Sequence, residues 1–200
     1  MPRKAARPTA SKDTQTAILD AAEELIQTHG SNGISYATIS ERVGIRKASI
    51  HHHFPTKDKL VEELVRRYAR DFLTNVDLIV GSRRKAPAKL RAYIQLFEST
   101  LEAAPGRRLC LCGMLGAERE NLSPQAATLL KRFYRDNEHR LGQILEAGRK
   151  EGTLEFAGDP RTVGMSLFSF LEGAMIVARA DRGSRQFRQL SDGVMGLLAG

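Results

Sequence analysis

Ile39-Ser40-Glu41-Arg42-Val43-Gly44-Ile45, running without a gap into Arg46-Lys47-Ala48-Ser49-Ile50-His51-His52-His53-Phe54, is the stretch from which the fold is read. Two short helices that cross closely need a small residue at the crossing, a glycine four positions later for the turn, and an aliphatic residue straight after. Ser40, Gly44 and Ile45 supply all three. The second helix carries two cations, a hydroxyl and three imidazoles, with Ile50 and Phe54 one turn apart as its buried anchors. Donors and cations of this kind are what phosphates and base edges accept. The stretch reads as a helix-turn-helix.

The same logic extends outward. Upstream, Ile18, Ala21, Ala22, Leu25 and Ile26 recur at helical spacing from Asp13 on, and the run stops at His29-Gly30 as a helix C-terminus should. Ser35 is placed to cap the next helix, with Ile39 and Val43 facing inward. Downstream, Pro55 interrupts the third helix and Thr56 caps a long fourth one, striped by Leu60, Leu64, Tyr68, Phe72 and Val76. Turn signals at Gly81, Pro87, Pro105-Gly106, Pro124, Gly152 and Gly158-Asp159-Pro160 divide the remainder into further helices. Residues 152–156 read as a loop. The fold class is all-α, with about nine helices.

Composition bounds the function. Of 200 residues, 31 are Lys or Arg and 23 Asp or Glu, a net charge of +8 that points to a polyanionic partner. Residues 1–12 hold Arg3, Lys4, Arg7 and Lys12, no acid and two prolines, and read as a mobile basic arm able to track a minor groove. The two cysteines, Cys110 and Cys112, exclude a disulfide-stapled secreted domain and suit a reducing compartment. No apolar run reaches the roughly 18 residues of a membrane span; Gly164–Ala178 is too short and carries Glu172. Nor does an apolar stretch follow the basic N-terminus before Ile18, so no signal peptide is expected and the location is read as cytoplasmic. No nucleophile elbow, phosphate loop, dinucleotide fingerprint or zinc-ligand spacing occurs, so neither an enzyme nor a cofactor is expected. His51, His52 and His53 fan out by about 100° each on a helix and cannot converge on one metal ion. Of the three, His53 is read as packed inside the motif.

The stretch Gly33–Leu60 closely resembles the signature of the TetR family of bacterial transcriptional regulators, with the spacing from Gly44 to His53-Phe54 and on to Lys57 and Leu60 kept intact. Ala48 stands where the family commonly has Gly, and His51 where it commonly has Tyr. The resemblance implies phosphate contacts from Ser35, His51, His52 and Lys57, and a groove-facing role for Lys47 and Ser49. Arg46 adds a base or phosphate contact. The partner is then double-stranded DNA bearing a palindromic operator. The chain divides into the basic arm (1–12), a helix-turn-helix domain (13–58) and a C-terminal ligand-binding and dimerisation domain (59–200).

In the body, Met165, Phe168, Leu171 and Met175 form one apolar stripe, beside the small residues Gly164, Ser166, Gly173 and Ala174; Phe187, Leu190, Val194 and Leu197 or Leu198 form another. By resemblance these two helices pair with those of a second subunit, making a homodimer. The helices between head and interface are those that enclose an effector pocket in relatives. Candidates to line it are Tyr93, Phe97, Cys110, Met114, Phe133, Phe168 and Glu172, suited to a largely apolar small molecule. Arg107 and Arg108 beside Cys110, with Pro105-Gly106 as a helix start, would favour a thiolate. The leading expectation is a dimeric repressor released from its operator by an effector. Its rivals are a thiol-based redox or electrophile sensor using Cys110, and a nonspecific architectural DNA protein.

Overall fold

The computed structural model describes residues 9–104, 108–180 and 183–198. Nine α-helices lie among these residues: α1 (Thr9–His29), α2 (Tyr36–Val43), α3 (Lys47–His53), α4 (Lys57–Gly81), α5 (Ala86–Glu102), α6 (Leu111–Ala117), α7 (Pro124–Lys150), α8 (Pro160–Ala180) and α9 (Ser184–Leu198). Single 3-10 turns at Ser31–Gly33 and Arg119–Asn121 join α1 to α2 and α6 to α7. Residues 152–156 are a loop, as expected, where the Glu155 N–H donates to the Leu198 carbonyl at 3.0 Å. The basic arm is shorter than its composition implied, because Thr9–Lys12 already belong to α1. Its remaining residues, 1–8, lie outside the described residues, as do Pro105, Gly106 and Arg107.

α4 is the axis of the molecule. Thr56 Oγ1 accepts the Lys59 N–H at 3.2 Å, and the predicted stripe follows, with Leu60, Leu64, Tyr68 and Val76 buried and Phe72 partly so. A fully buried Leu or Val contributes about 1.5–3 kcal/mol and a cap about 1 kcal/mol, so packing rather than capping holds this helix. Its 25 residues span about 37 Å, from the head to the far end of the body. α7 packs along α4 on one side and most extensively along α8 on the other. The α7–α8 crossing is close because both helices place glycine there: a Cβ on Gly164 would lie 2.8 Å from the backbone nitrogen of Gly142. Gly164 therefore serves an approach within the chain, while Gly173 opens onto space with nothing within 4 Å of its Cβ position.

α8 corrects a reading of the sequence. At 21 residues, with a mean hydropathy of 1.4 across its best window, it is long and apolar enough by length and composition to cross a membrane. The excess apolarity has a local cause: Leu167, Phe168, Leu171, Met175 and Ala178 are buried against the chain's own helices.

Candidate nucleic-acid interface

Short-range hydrogen bonds build the α2–α3 crossing. Ser35 Oγ accepts the Thr38 N–H at 3.1 Å, and Thr38 Oγ1 accepts the Ser35 N–H at 2.8 Å. This reciprocal box satisfies two donors that the helix start would otherwise leave open. At the other end Gly44 has φ 73° and ψ 32°, and its N–H donates to the Ser40 carbonyl at 2.9 Å. Ser40 does more than permit a close approach, since its hydroxyl donates to the Ile45 carbonyl and stitches the turn. Beyond the turn, Ile50 and Phe54 are buried and Tyr36 donates its hydroxyl to the Phe54 carbonyl, locking α3 onto α2.

That locking leaves one face of α3 to solvent. Arg46, Lys47, His51 and His52 are exposed and Ser49 is partly so. The His51 ring meets Tyr36 edge-on, with centroids 4.4 Å apart, so the imidazole is oriented by α2. His53 is half-buried, its ring tilted against Phe54, in keeping with its expected place inside the motif. Among the described residues no group of three His, Cys, Asp or Glu side chains converges as a metal site. Lys57 is exposed but already engaged: its Nζ donates to the Ser31 carbonyl at 2.8 Å, tying the start of α4 to the α1–α2 connection.

A charged layer behind this face has no local sequence signal. Glu24 on α1 pairs with Arg42 on α2 and, at 3.1 Å, with Arg108 of the body. The Arg42 hydrogen bond, helped by the charge of Arg108, holds the Glu24 carboxyl below its ordinary value despite partial burial. Arg67 on α4 reaches Asp20 at 2.6 Å and Glu23 at 2.7 Å on α1. The end of α1 is fastened in the same way. Arg179 donates to the Thr28 carbonyl at 2.6 Å, the Leu109 N–H to the Gln27 carbonyl at 3.0 Å, and the Ser31 N–H to Glu118 at 2.6 Å.

In the body the predicted pocket residues gather in one aromatic cluster. Phe72 lies 5.7 Å from Phe97 and 5.4 Å from Phe133, while Phe168 packs on Phe97, Phe133 and Tyr134. Tyr93 donates to Asn137 Oδ1 at 2.8 Å, and both are fully buried. Met114 is partly buried and within reach of Arg179. A cleft of about 310 Å³ opens beside the cluster between α1, α4 and α5, and its lining includes Gln27, Tyr68, Phe72, Leu96 and Arg108 rather than the seven predicted residues. Cys110 and Cys112 are both buried free thiols. Burial, and then Glu172, pushes the Cys110 thiol well above its ordinary value, opposite to the direction its neighbouring arginines suggested. Burial dominates, and Arg108, which pairs with Glu24, does not offset it.

The stripes assigned to the dimer interface face inward for the most part, with Met165 and Leu197 outside. Phe168, Leu171, Met175, Phe187 and Leu198 are buried in the chain's own core, with Leu190 and Val194 half-exposed. The apolar side chains that α8 and α9 leave outside are Met165, Ile176, Val177 and Leu197. Helical spacing identifies a stripe, but two stripes on one helix look alike until the neighbouring helices are placed.

A capped helix-turn-helix with a cationic outer face, carried on an all-helical body, defines a DNA-binding protein of the helix-turn-helix class. Residues 18–64 match the family described as bacterial regulatory proteins, tetR family, and residues 86–194 match the tetracyclin repressor-like C-terminal domain. The chain belongs to the TetR family of DNA-binding transcriptional regulators. Across 189 residues, covering 90% of this chain and 92% of the relative, it is 26% identical to the nucleoid occlusion factor SlmA of Citrobacter koseri. A solved TetR-family transcriptional regulator from Agrobacterium tumefaciens is 30% identical, with a TM-score of 0.89 over 95% of this chain and all of that one. The regulatory protein TetR from Rhodobacter sphaeroides, 21% identical with a TM-score of 0.84 over 92% of this chain and 97% of its own, shares the fold.

Proposed function

We propose that the protein is a homodimeric repressor that holds a palindromic operator through α3 and releases it when a small molecule occupies the body. The observation that carries this reading is the outer face of α3, where Arg46, Lys47, His51 and His52 are exposed while Ile50 and Phe54 are locked inward. Lys47 and Ser49 read the groove; Ser35, His51, His52 and Lys57 meet phosphate, with Arg46 at the edge of both. Two copies pair through the outer face of α8 and α9, around Met165, Ile176, Val177 and Leu197, which supports a partner better than the buried stripes do. The protein works where DNA is, in the cytoplasm. The thiol-sensor alternative draws no support from a buried Cys110 with a raised pKa. Should Cys110→Ser abolish effector-driven release, that alternative would replace the repressor reading.

The test is selection of bound duplexes from a random pool, with stoichiometry read on the enriched site. An inverted repeat occupied by an even number of chains is expected, bound about 10³-fold or more tightly than random duplex. Enrichment of nothing, with binding that only fades as salt rises, would leave a nonspecific architectural protein and sink the repressor.

A further inference from the structure

We infer that the effector is an organic cation, a protonated or quaternary amine on an apolar frame, and that Glu172 is its counter-charge. The inference rests on the ligand-responsive reading above and deepens it. Glu172 sits on α8 with its stem half-exposed and its Oε1 buried without any hydrogen-bond partner. A buried polar atom left unpaired is costly, and chains rarely keep one unless something else satisfies it. The groups that face the carboxyl meet it only in part. The Cys110 thiol hydrogen-bonds to it and leaves Oε1 unmet, while Tyr68 on α4, Tyr93 on α5 and Tyr134 on α7 are near enough to feel its charge, as is Cys112. All three phenols donate elsewhere: Tyr68 to Cys110 Sγ, Tyr93 to Asn137 and Tyr134 to the Cys112 carbonyl.

No cation fills the gap. Arg179, two turns along α8 on the same side, is committed to the Thr28 carbonyl and Met114 Sδ. Arg140 is committed to Asp77 and Arg108 to Glu24. An acid surrounded by aromatic rings and lacking a counter-ion is what an apolar cation complements, since ring faces attract positive charge and the carboxylate neutralises it. A hydroxyl could satisfy Oε1 but would leave the charge unpaired; a carboxylate would repel it. Burial lifts the Glu172 pKa to about 7, so near neutrality the free protein holds the carboxyl partly protonated and a cation would draw it to the ionised form.

Tyr68 stands between Glu172 and the cleft beside it, whose lining does not include Glu172 itself. The 310 Å³ cleft between α1, α4 and α5 has Tyr68 in its wall, and Tyr68 touches Cys110, the residue at the cap of α6 that borders Glu172. The charged groups in that wall have ion-pair partners, Glu23 with Arg67, Asp71 with Arg70 and Arg108 through one terminal nitrogen with Glu24, although the Arg108 Nε is buried without a hydrogen-bond partner. On the other side, a Cβ on Gly113 would lie 2.2 Å from Glu172 Oε2, so the carboxyl packs against the first turn of α6 in space that only a glycine leaves open. That turn is continuous with Leu109 and Arg108, which hold Gln27 and Glu24 of α1. Occupancy at Glu172 is thereby transmitted to the scaffold of the head.

The test uses the full chain and two matched sets of probes: the amine, alcohol and carboxylate of an adamantane cage, and the same three groups on a naphthylmethyl frame. Binding is read by titration calorimetry and melting temperature at pH 8. Within a frame the amine is expected to bind at least about tenfold more tightly than the alcohol, with the carboxylate weakest. Glu172→Gln, close to isosteric, should erase the amine's advantage while leaving alcohol binding within about twofold. If the alcohols or carboxylates bind as well as the amines, the cation assignment falls while the ligand-responsive reading stands. Should none of the six bind, the cation assignment also falls, and the regulator reading is then judged by the operator selection alone.

Discussion

Glu24 in the head lies between two guanidinium groups and is held ionised; Glu172 in the body lies among aromatic rings and is pushed toward its neutral form. Both are glutamates on helices of one chain, and the difference is where their partners come from. The head brings its counter-charges with it, from α2 and from Arg108, and turns its surplus cations outward on α3. The body satisfies its phenols and amide internally and leaves one carboxyl oxygen unmet. A surface that binds a polyanion is complete in the free protein. On the proposed reading, the small-molecule site of the body shows itself by what it lacks.

The comparison is sharpened first by removing what holds the head together. Phe54→Ala empties a fully packed position and is expected to cost about 3–5 kcal/mol, read by urea unfolding, with DNA binding lost alongside. A loss below about 1 kcal/mol would mean that α3 does not depend on this anchor. Next comes the body's acid. Its folded pKa lies above the unfolded value, so the native state binds the extra proton and stability falls as pH rises from about 4.5 to about 7, then levels off. The fall should amount to roughly 2–3 kcal/mol and vanish in Glu172→Gln. Glu24 runs the other way: its lowered pKa contributes stability above the unfolded value that is lost as pH falls through the folded one. A pH profile unchanged by Glu172→Gln would remove the contrast between the two regions.

Gly44→Ala is a smaller perturbation of the head. Nothing lies within 4 Å of the added Cβ, so the cost is conformational, about 1–2 kcal/mol at φ 73°. Melting temperature checks it, with a drop of about 2–8 °C expected. Smallest in stability, and largest in meaning for the interface, is Lys47→Ala. It should leave the melting temperature unchanged and, if Lys47 reads the groove as proposed, relax the preference at one operator position at a cost of about 1–3 kcal/mol. A loss shared by all duplexes, with the salt slope lowered by about one, would instead make Lys47 a phosphate contact.

The head was legible because its signals are local. Ser35 as a cap, Ser40 with Gly44, and Ile50 with Phe54 all act within five residues and stand where the spacing placed them, while the part of Thr38 in the capping box is seen only in the structure. The body was legible as helices but not as faces. Leu171 and Ile176 are equally apolar in sequence, and only the position of α7 decides that the first is buried and the second exposed. The thiolate that Arg107 and Arg108 suggested was a local inference of the same kind: burial, which spacing does not reveal, pushes the Cys110 thiol up, and Arg108 pairs with Glu24, far away in the chain. The start of α1 at Thr9 was hidden by a basic composition that a helix tolerates well.

The last turn of α1 has carbonyls that a helix end cannot satisfy by itself. Here Gln27 and Thr28 spend theirs on Leu109 and Arg179, donors that arrive from more than 80 residues downstream. The head therefore is not a detachable cartridge. Transplanted at residue 58 or 85 onto a foreign body, it would keep α3 and its exposed cations but lose the groups that close its own scaffold helix. A graft would inherit the reading surface without its stiffness. Regulators of this design should exchange operators more readily by repainting α3 than by swapping heads, and hydrogen exchange at the end of α1 in such a chimera, faster than in the parent, would reveal the seam.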